Sequence, residues 1–202
     1  MAAEILLVRH GETEWNIAGR YQGGKDSPLT ARGREQAAAV GDALAGLCAG
    51  QDWPILSSPL GRAHHSAQIM AERMAAPAPL TDAALREISL GSWDGLTDEE
   101  MEAAHPGMRA GSTRYDWYFR SPDGETLAQA KARVAQWIAS IDRPVIAVTH
   151  GLVSRVVRGV YLGLPDAEAT ELPVTQGVIW QLKDGELRTI VTEAESNSTW
   201  LA

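Results

Sequence analysis

Two apolar runs in this chain end in a histidine followed by a glycine. Leu6-Leu7-Val8 stops at Arg9-His10-Gly11-Glu12-Thr13, and Val145-Ile146-Ala147-Val148 stops at Thr149-His150-Gly151. A buried strand that breaks off in this way delivers its last polar side chains to the rim of a sheet. Two such ends suggest two imidazoles meeting at one site, with the Arg9 guanidinium beside the first. A neutral imidazole can attack an electrophile through one ring nitrogen, provided the other keeps its proton by donating it to an acceptor. An adjacent arginine points to an anionic substrate, because its planar fork makes two hydrogen bonds to one phosphate or carboxylate.

The elements that must position these residues alternate between strand and helix. Ile5 to Val8 reads as a strand covered on both faces, and Gly11 to Pro28 as a polar, glycine-rich connection. Thr30 is placed as an N-cap for a helix whose apolar face carries Ala37, Val40, Leu44 and Leu47. Trp53 to Ser57 reads as a second strand. Ser58-Pro59 reads as a helix start, with a capping serine and proline at the first helical position. Leu60, Ala63, Ala67, Met70 and Met74 line that helix, and Thr81 to Leu85 reads as a short strand or an extended segment. Thr97-Asp98-Glu99-Glu100 matches a capping box. Leu127, Ala130, Val134, Ile138 and Ile141 mark another helix, and Leu152 to Val160 one more. Val178 to Leu182 and Leu187 to Thr192 read as a hairpin turning at Asp184-Gly185. Such alternation implies an α/β layer structure with a mostly parallel sheet, whose ligands bind beyond the carboxyl ends of the strands, where His10 and His150 fall.

Bulk properties narrow the function classes. A chain of 202 residues suits a single domain over 1–202, with no repeat or linker, and about 98–125 stands out as an irregular lid or specificity insertion. The net charge of -8 argues against nucleic acid and anionic membrane as partners, so any anion site must be a local positive cluster. Cys48 is the only cysteine, which excludes an intrachain disulfide and a cysteine-rich metal site. Met1-Ala2-Ala3-Glu4 lacks a signal-peptide pattern, and no apolar run approaches the roughly 20 residues of a membrane span, so a cytoplasmic enzyme is expected.

Further blocks join the two strand ends. They are Asn16, Gly19-Arg20-Tyr21-Gln22-Gly23, Pro28-Leu29-Thr30 with Gly33, Ser57-Ser58-Pro59-Leu60 with Arg62-Ala63, Leu85-Arg86-Glu87 with Gly91, and Trp93-Asp94-Gly95. In this order, from residue 5 to about residue 155, the chain resembles the histidine phosphatase superfamily, also called the phosphoglycerate mutase-like family. The resemblance implies a three-layer α/β/α, Rossmann-like phosphoglycerate mutase fold. It implies that His10 is a nucleophile forming a phosphohistidine, that Arg9 and Arg62 clamp the phosphate, and that His150 stabilises charge growing in the transition state. Glu87 becomes the general acid and then base, a role that calls for a raised pKa, with Glu12 and Glu14 as competitors. Asn16, Gln22, Gly23 and Gly151 become phosphate- or substrate-contacting positions. Arg62, in the first turn of its helix, would also sit among exposed backbone N–H groups that favour an anion.

Other features read as plain structure. His64 and His65 are adjacent on a helix and point about 100° apart, without carboxylates at ligand spacing, so no metal is expected. The family usually has Gln-Thr where His65-Ser66 stand. His105 reads as a helix-end residue and Cys48 as a small buried one, while Trp117 is the tryptophan placed to touch substrate. The expected function is a phosphatase of small phosphorylated metabolites, without metal or other cofactor. Phosphoglycerate mutase activity would require a second basic cluster, for which Arg109, Arg114 and Arg120 compete with interspersed acids. A non-catalytic phosphate-ligand-binding protein is the third reading, and a homodimer stays open.

Overall fold

The computed structural model describes residues 3–113 and 115–193. Six strands form one sheet in the order β3-β2-β4-β1-β5-β6. They are β1 (Ile5–Arg9), β2 (Ile55–Ser57), β3 (Leu80–Thr81), β4 (Val145–Thr149), β5 (Val178–Lys183) and β6 (Glu186–Val191). β1, β2, β3 and β4 run parallel, whereas β5 pairs antiparallel with β1 and β6 antiparallel with β5. The β5–β6 turn falls at Asp184 and Gly185, both with positive φ, as a two-residue hairpin of this hand requires.

The two-residue period of the strands sorts the core into two layers. Ile5, Leu7, Val145, Ala147, Val178 and Trp180 face α5 (Leu127–Ser140) and α6 (Gly151–Leu162). Leu6, Val8, Ile146, Val148 and Ile179 face α2 (Ala31–Leu47) and α3 (Gly61–Met74). The architecture is the three-layer α/β/α sandwich expected. Six shorter pieces complete the labelled elements: α1 (Glu14–Ile17), α4 (Asp98–Ala104), α7 (Asp166–Ala169) and 3₁₀ turns at Ala83–Leu85, Gly91–Trp93 and Asp116–Arg120. The chain leaving β1 goes to the α2/α3 face, and the chain leaving β4 goes to the α5/α6 face. The carboxyl ends of these two neighbouring strands therefore form the crevice where an open α/β sheet binds ligand.

Local signals are visible in the geometry. Thr30, Thr97 and Thr126 cap α2, α4 and α5, the last two in full capping boxes. Two expectations need correction. Leu47 does not join the α2 core face and is 41% exposed, because the helix ends there and Leu44 makes the last buried contact. The helix after β2 starts at Gly61, not at Pro59, with Leu60 as an N-cap that makes no side-chain bond. Ser58 does not cap it: its N–H continues the sheet ladder to the Val148 carbonyl at 2.9 Å, and its Oγ is taken by the Leu60 N–H and the His150 ring.

Candidate active site

A cavity of about 320 Å³ opens at the carboxyl ends of β1 and β4. Arg9, His10, Asn16, Gln22, Gly23, Arg62, Glu87 and Gly151 line it, so eight of the nine residues named from sequence converge there. The ninth, His150, packs against His10, the ring centroids 5.1 Å apart in an edge-to-face arrangement.

His10 directly follows β1 and is almost fully buried. Its Nδ1 lies 2.7 Å from the Gly11 carbonyl, and Arg62 Nε–H donates to its Nε2 at 3.3 Å. A ring nitrogen that faces a carbonyl must carry the proton, and one that faces an N–H must not. The ring is therefore the Nδ1–H tautomer with its lone pair on Nε2. Burial, then Arg9 and Arg62, hold its pKa well below the usual histidine value, so the imidazole is neutral. Burial does the same for His150, followed by Arg62, His10 and Arg9. His150 Nε2 lies 2.7 Å from Ser58 Oγ, and its buried Nδ1 has no hydrogen-bond partner in the protein.

Arg9 donates through one terminal nitrogen to the Val174 carbonyl at 2.7 Å, whereas its buried Nε has no partner. Burial lowers its pKa to about 10, with Glu87 opposing the shift and Arg155 and Arg62 adding to it, so it stays cationic at neutral pH. Arg62 is held from several sides. Its guanidinium donates to the Lys25 and Gly23 carbonyls and to Asp26, and its backbone N–H also goes to the Asp26 carboxylate at 3.2 Å. The amino end of α3 thus already faces a carboxylate of the protein. The anion site expected from its backbone N–H groups is one that Asp26 occupies.

Glu87 sits against the amino end of α6. Its carboxylate accepts the N–H groups of Ile88, Leu152 and Val153 at 3.0, 3.1 and 3.0 Å. Gly151 lies beside it: a Cβ there would be in ordinary contact with the Arg9 guanidinium carbon at 3.7 Å and with Glu87 Oε2 at 3.8 Å. In the loop after α1, Gln22 is turned inward, its amide bridging Thr13 Oγ1 and Ser27 Oγ. Asn16 closes a capping box with Thr13 and accepts from Gln176. Gly23 adopts φ 49°, and a Cβ there would strike Asp94. Asp94 explains the Trp93-Asp94-Gly95 block, since it binds the Gly24 and Leu90 N–H groups and so ties the loop to the chain after Glu87.

Several residues escaped the sequence reading. Asp26, Arg155, Tyr115, Tyr118 and Val174 stand at the site or behind it. Arg155 and Arg158 are charged residues in the otherwise apolar α6, a signal that was available. The Arg155 guanidinium stacks 3.6 Å from the Tyr115 ring centroid and donates to the Leu172 carbonyl. Burial raises the Tyr118 phenol far above its ordinary pKa, leaving a neutral donor on the cavity wall. Trp117 is not a lining residue. It is buried behind Tyr21 and Tyr118, ring against ring. The departure at His65-Ser66 also resolves: His65 is exposed, while the buried Ser66 hydroxyl accepts from Gly11 N–H and donates to the Arg62 carbonyl. His64 bonds Ser57, His105 ends α4, and buried Cys48 caps α2. Arg109 pairs with Asp98 and Tyr21, and Arg120 with Asp116; Arg114 lies outside the described residues.

A histidine flanked by buried guanidiniums, backed by a second neutral histidine and faced by a carboxylate, defines a site for transferring a phosphoryl group. Residues 5–192 match the model of the histidine phosphatase superfamily (branch 1). The chain belongs to that superfamily and is a phosphatase. It is 36% identical over 173 residues to a glucosyl-3-phosphoglycerate phosphatase of Mycolicibacterium vanbaalenii, covering 80% of this chain and 75% of the relative. It is also 36% identical to a probable phosphoglycerate mutase GpmB of Salmonella arizonae, covering 80% and 76%. Among solved structures it superposes on Bacillus stearothermophilus YhfR with a TM-score of 0.79, 29% identity and coverage of 94% and 96%. No helix among the described residues is long and apolar enough to cross a membrane.

Proposed function

We propose that His10 Nε2 attacks the phosphorus of a small phosphate monoester, breaking the bond to the ester oxygen and forming a phosphohistidine. The tautomer carries this reading, because the Gly11 carbonyl keeps the proton on Nδ1 and leaves Nε2 as the nucleophile. Arg9 Nε–H and the His150 ring receive non-bridging oxygens, and both offer a buried atom without a protein partner. When the Nε2 lone pair is spent on phosphorus, Arg62 Nε–H turns from it to a phosphoryl oxygen. Glu87, beside Arg9 and Gly151, gives its proton to the departing alkoxide. It then takes one from the water that releases inorganic phosphate. Residues 98–125 serve as the wall that selects the alcohol, which fits Asp98, Tyr115 and Tyr118 lining the cavity.

The substrate is a phosphorylated small metabolite, and the enzyme a cytoplasmic one. The likeness to a glucosyl-3-phosphoglycerate phosphatase favours an ester of a glycerate or sugar type. The likeness to GpmB keeps a mutase as the second reading. Arg109 and Arg120 count against it, since each turns to a neighbouring acid. Rapid quenching with labelled substrate should trap an acid-labile phosphohistidine in the wild type and none in His10→Ala, together with steady release of phosphate from p-nitrophenyl phosphate. Turnover at the wild-type rate in His10→Ala would sink the nucleophile. Interconversion of phosphoglycerates without phosphate release would establish the mutase.

A further inference from the structure

Ser58 is wholly buried between the end of β2 and the start of α3, and it does not line the cavity. Its N–H is committed to the Val148 carbonyl. Its Oγ accepts the Leu60 N–H at 3.2 Å and lies 2.7 Å from His150 Nε2. On the far side of the same buried ring, Nδ1 has no protein partner.

We propose that Ser58 is a positioning residue for His150: its hydroxyl donates to Nε2 and so keeps the imidazole proton on Nδ1, the atom that donates to the transferring phosphoryl group. The proposal rests on the role given to His150 above. A neutral imidazole has one donor nitrogen and one acceptor nitrogen, and the partner of one decides the other. The ring is neutral because burial and the neighbouring arginines disfavour its charged form. The Leu60 N–H occupies one lone pair of Ser58 Oγ, which leaves the hydroxyl proton in need of an acceptor in a place without water access, and Nε2 supplies it. The opposite arrangement fails twice. It leaves the buried Ser58 proton unpaired, and it turns a bare Nδ1 lone pair toward phosphoryl oxygens whose negative charge grows in the transition state. With the proton on Nδ1, that bond strengthens as the charge develops. Ser58 itself never touches substrate. Its own N–H, fixed in the β2–β4 ladder, sets where the hydroxyl stands. This accounts for a serine at a helix start that makes no cap.

The test is the protonation site of His150 in the full chain labelled with ¹⁵N-histidine, read from long-range ¹H–¹⁵N spectra. The proton is expected on Nδ1 in the wild type and divided between the two nitrogens in Ser58→Ala. With p-nitrophenyl phosphate as substrate, Ser58→Ala is expected to lose about 100-fold in kcat while KM moves by less than about 3-fold. A wild-type His150 protonated at Nε2, or a Ser58→Ala enzyme with undiminished kcat, overturns the proposal. If Ser58→Ala does not fold, the wild-type spectrum decides alone. Full turnover in His150→Ala removes the role that Ser58 serves and overturns both readings, whereas the wrong tautomer overturns this one only.

Discussion

Gly11→Ala should damage both stability and turnover, and the structure sets the size of the effect. Gly11 crosses the amino end of α2 so closely that a Cβ on it would lie 2.0 Å from the Gly33 carbonyl oxygen and 2.7 Å from its carbon. The converse holds at Gly33, where a Cβ would lie 2.0 Å from the Glu12 carbonyl oxygen. Both obstructing groups are backbone, so no flexible side chain can give way. Restoring ordinary contact means parting the two segments by about 1.4 Å. Overpacking of this kind costs about 1–3 kcal/mol, and in a chain of this length each kcal/mol lowers Tm by about 2–4 °C. The chemical effect is larger, because Gly11 carries the acceptor of His10 Nδ1–H and the N–H bound to Ser66. A displacement of about 1 Å at a nucleophile is worth about 100-fold in kcat/KM. Gly46→Ala is the control. It lies in the exposed last turn of α2 with nothing near its Cβ, so alanine should stabilise by about 0.5–1 kcal/mol. Differential scanning calorimetry and p-nitrophenyl phosphate hydrolysis read both effects. A Gly11→Ala enzyme with wild-type Tm and wild-type turnover would refute the close-approach argument.

Three other outcomes are expected. Asp26→Asn removes the carboxylate facing the Arg62 guanidinium, whose side chain is 1% exposed against 37% for Asp26. The intermediate setting places the loss at about 1–2 kcal/mol by urea unfolding, with a fall in kcat/KM, and unchanged values would deny Asp26 a part in the site. His10 and His150 stay neutral when folded but protonate in the unfolded chain below about pH 6.5. The unfolded state then binds more protons, so stability is full above that pH and falls below it, by up to about 1.4 kcal/mol per pH unit and ring. Urea melts at about pH 7.5 and about pH 5.5 should show the loss, and His10→Asn should reduce it; a pH-independent midpoint over that window contradicts two buried neutral rings. Prolonged chelation should leave phosphate release unchanged, because Arg9 and Arg62 supply the charge that a metal would otherwise bring, and abolished activity would point to metal-assisted hydrolysis.

What could be read from the sequence was local in origin. The strand ends at His10 and His150, the capping boxes at Thr97 and Thr126, and the Asp184-Gly185 hairpin each announce themselves within a few residues. The blocks that brought Arg62 and Glu87 into the site worked by order along the chain, and the cavity does gather them. What escaped was decided by partners far away in sequence. Ser58 looks like a cap, but the strand ladder and a histidine 92 residues on claim it first. Asp26 sits in a polar loop like any surface acid until α3 brings Arg62 to it. Trp117 lies in the irregular segment, yet large aromatics are drawn to the core, and the tyrosines beside it take the cavity wall.

Least visible of all was how a chain of net charge -8 keeps a cationic cavity. The usual partner for a buried arginine is a carboxylate, which would cancel the charge a dianionic phosphate needs. Here three consecutive carbonyls do the holding instead. Leu172 accepts from Arg155, Pro173 from Arg158 and Val174 from Arg9, at 2.6, 2.6 and 2.7 Å. A carbonyl satisfies an N–H and fixes the guanidinium's direction without carrying a countercharge. Arg158 is the furthest from the cavity, stacked on Trp180 with burial holding its pKa near 9, and it anchors the middle of the row. The two outer arginines, Arg9 and Arg155, line the cavity. The acids of this site are placed to the same end. Asp26 offsets Arg62, which already has two carbonyls, while the Glu87 carboxylate is held by three backbone N–H groups and not by a hydrogen bond to Arg9. The positive potential at His10 thus comes from which groups hold the arginines, and net charge says nothing about it.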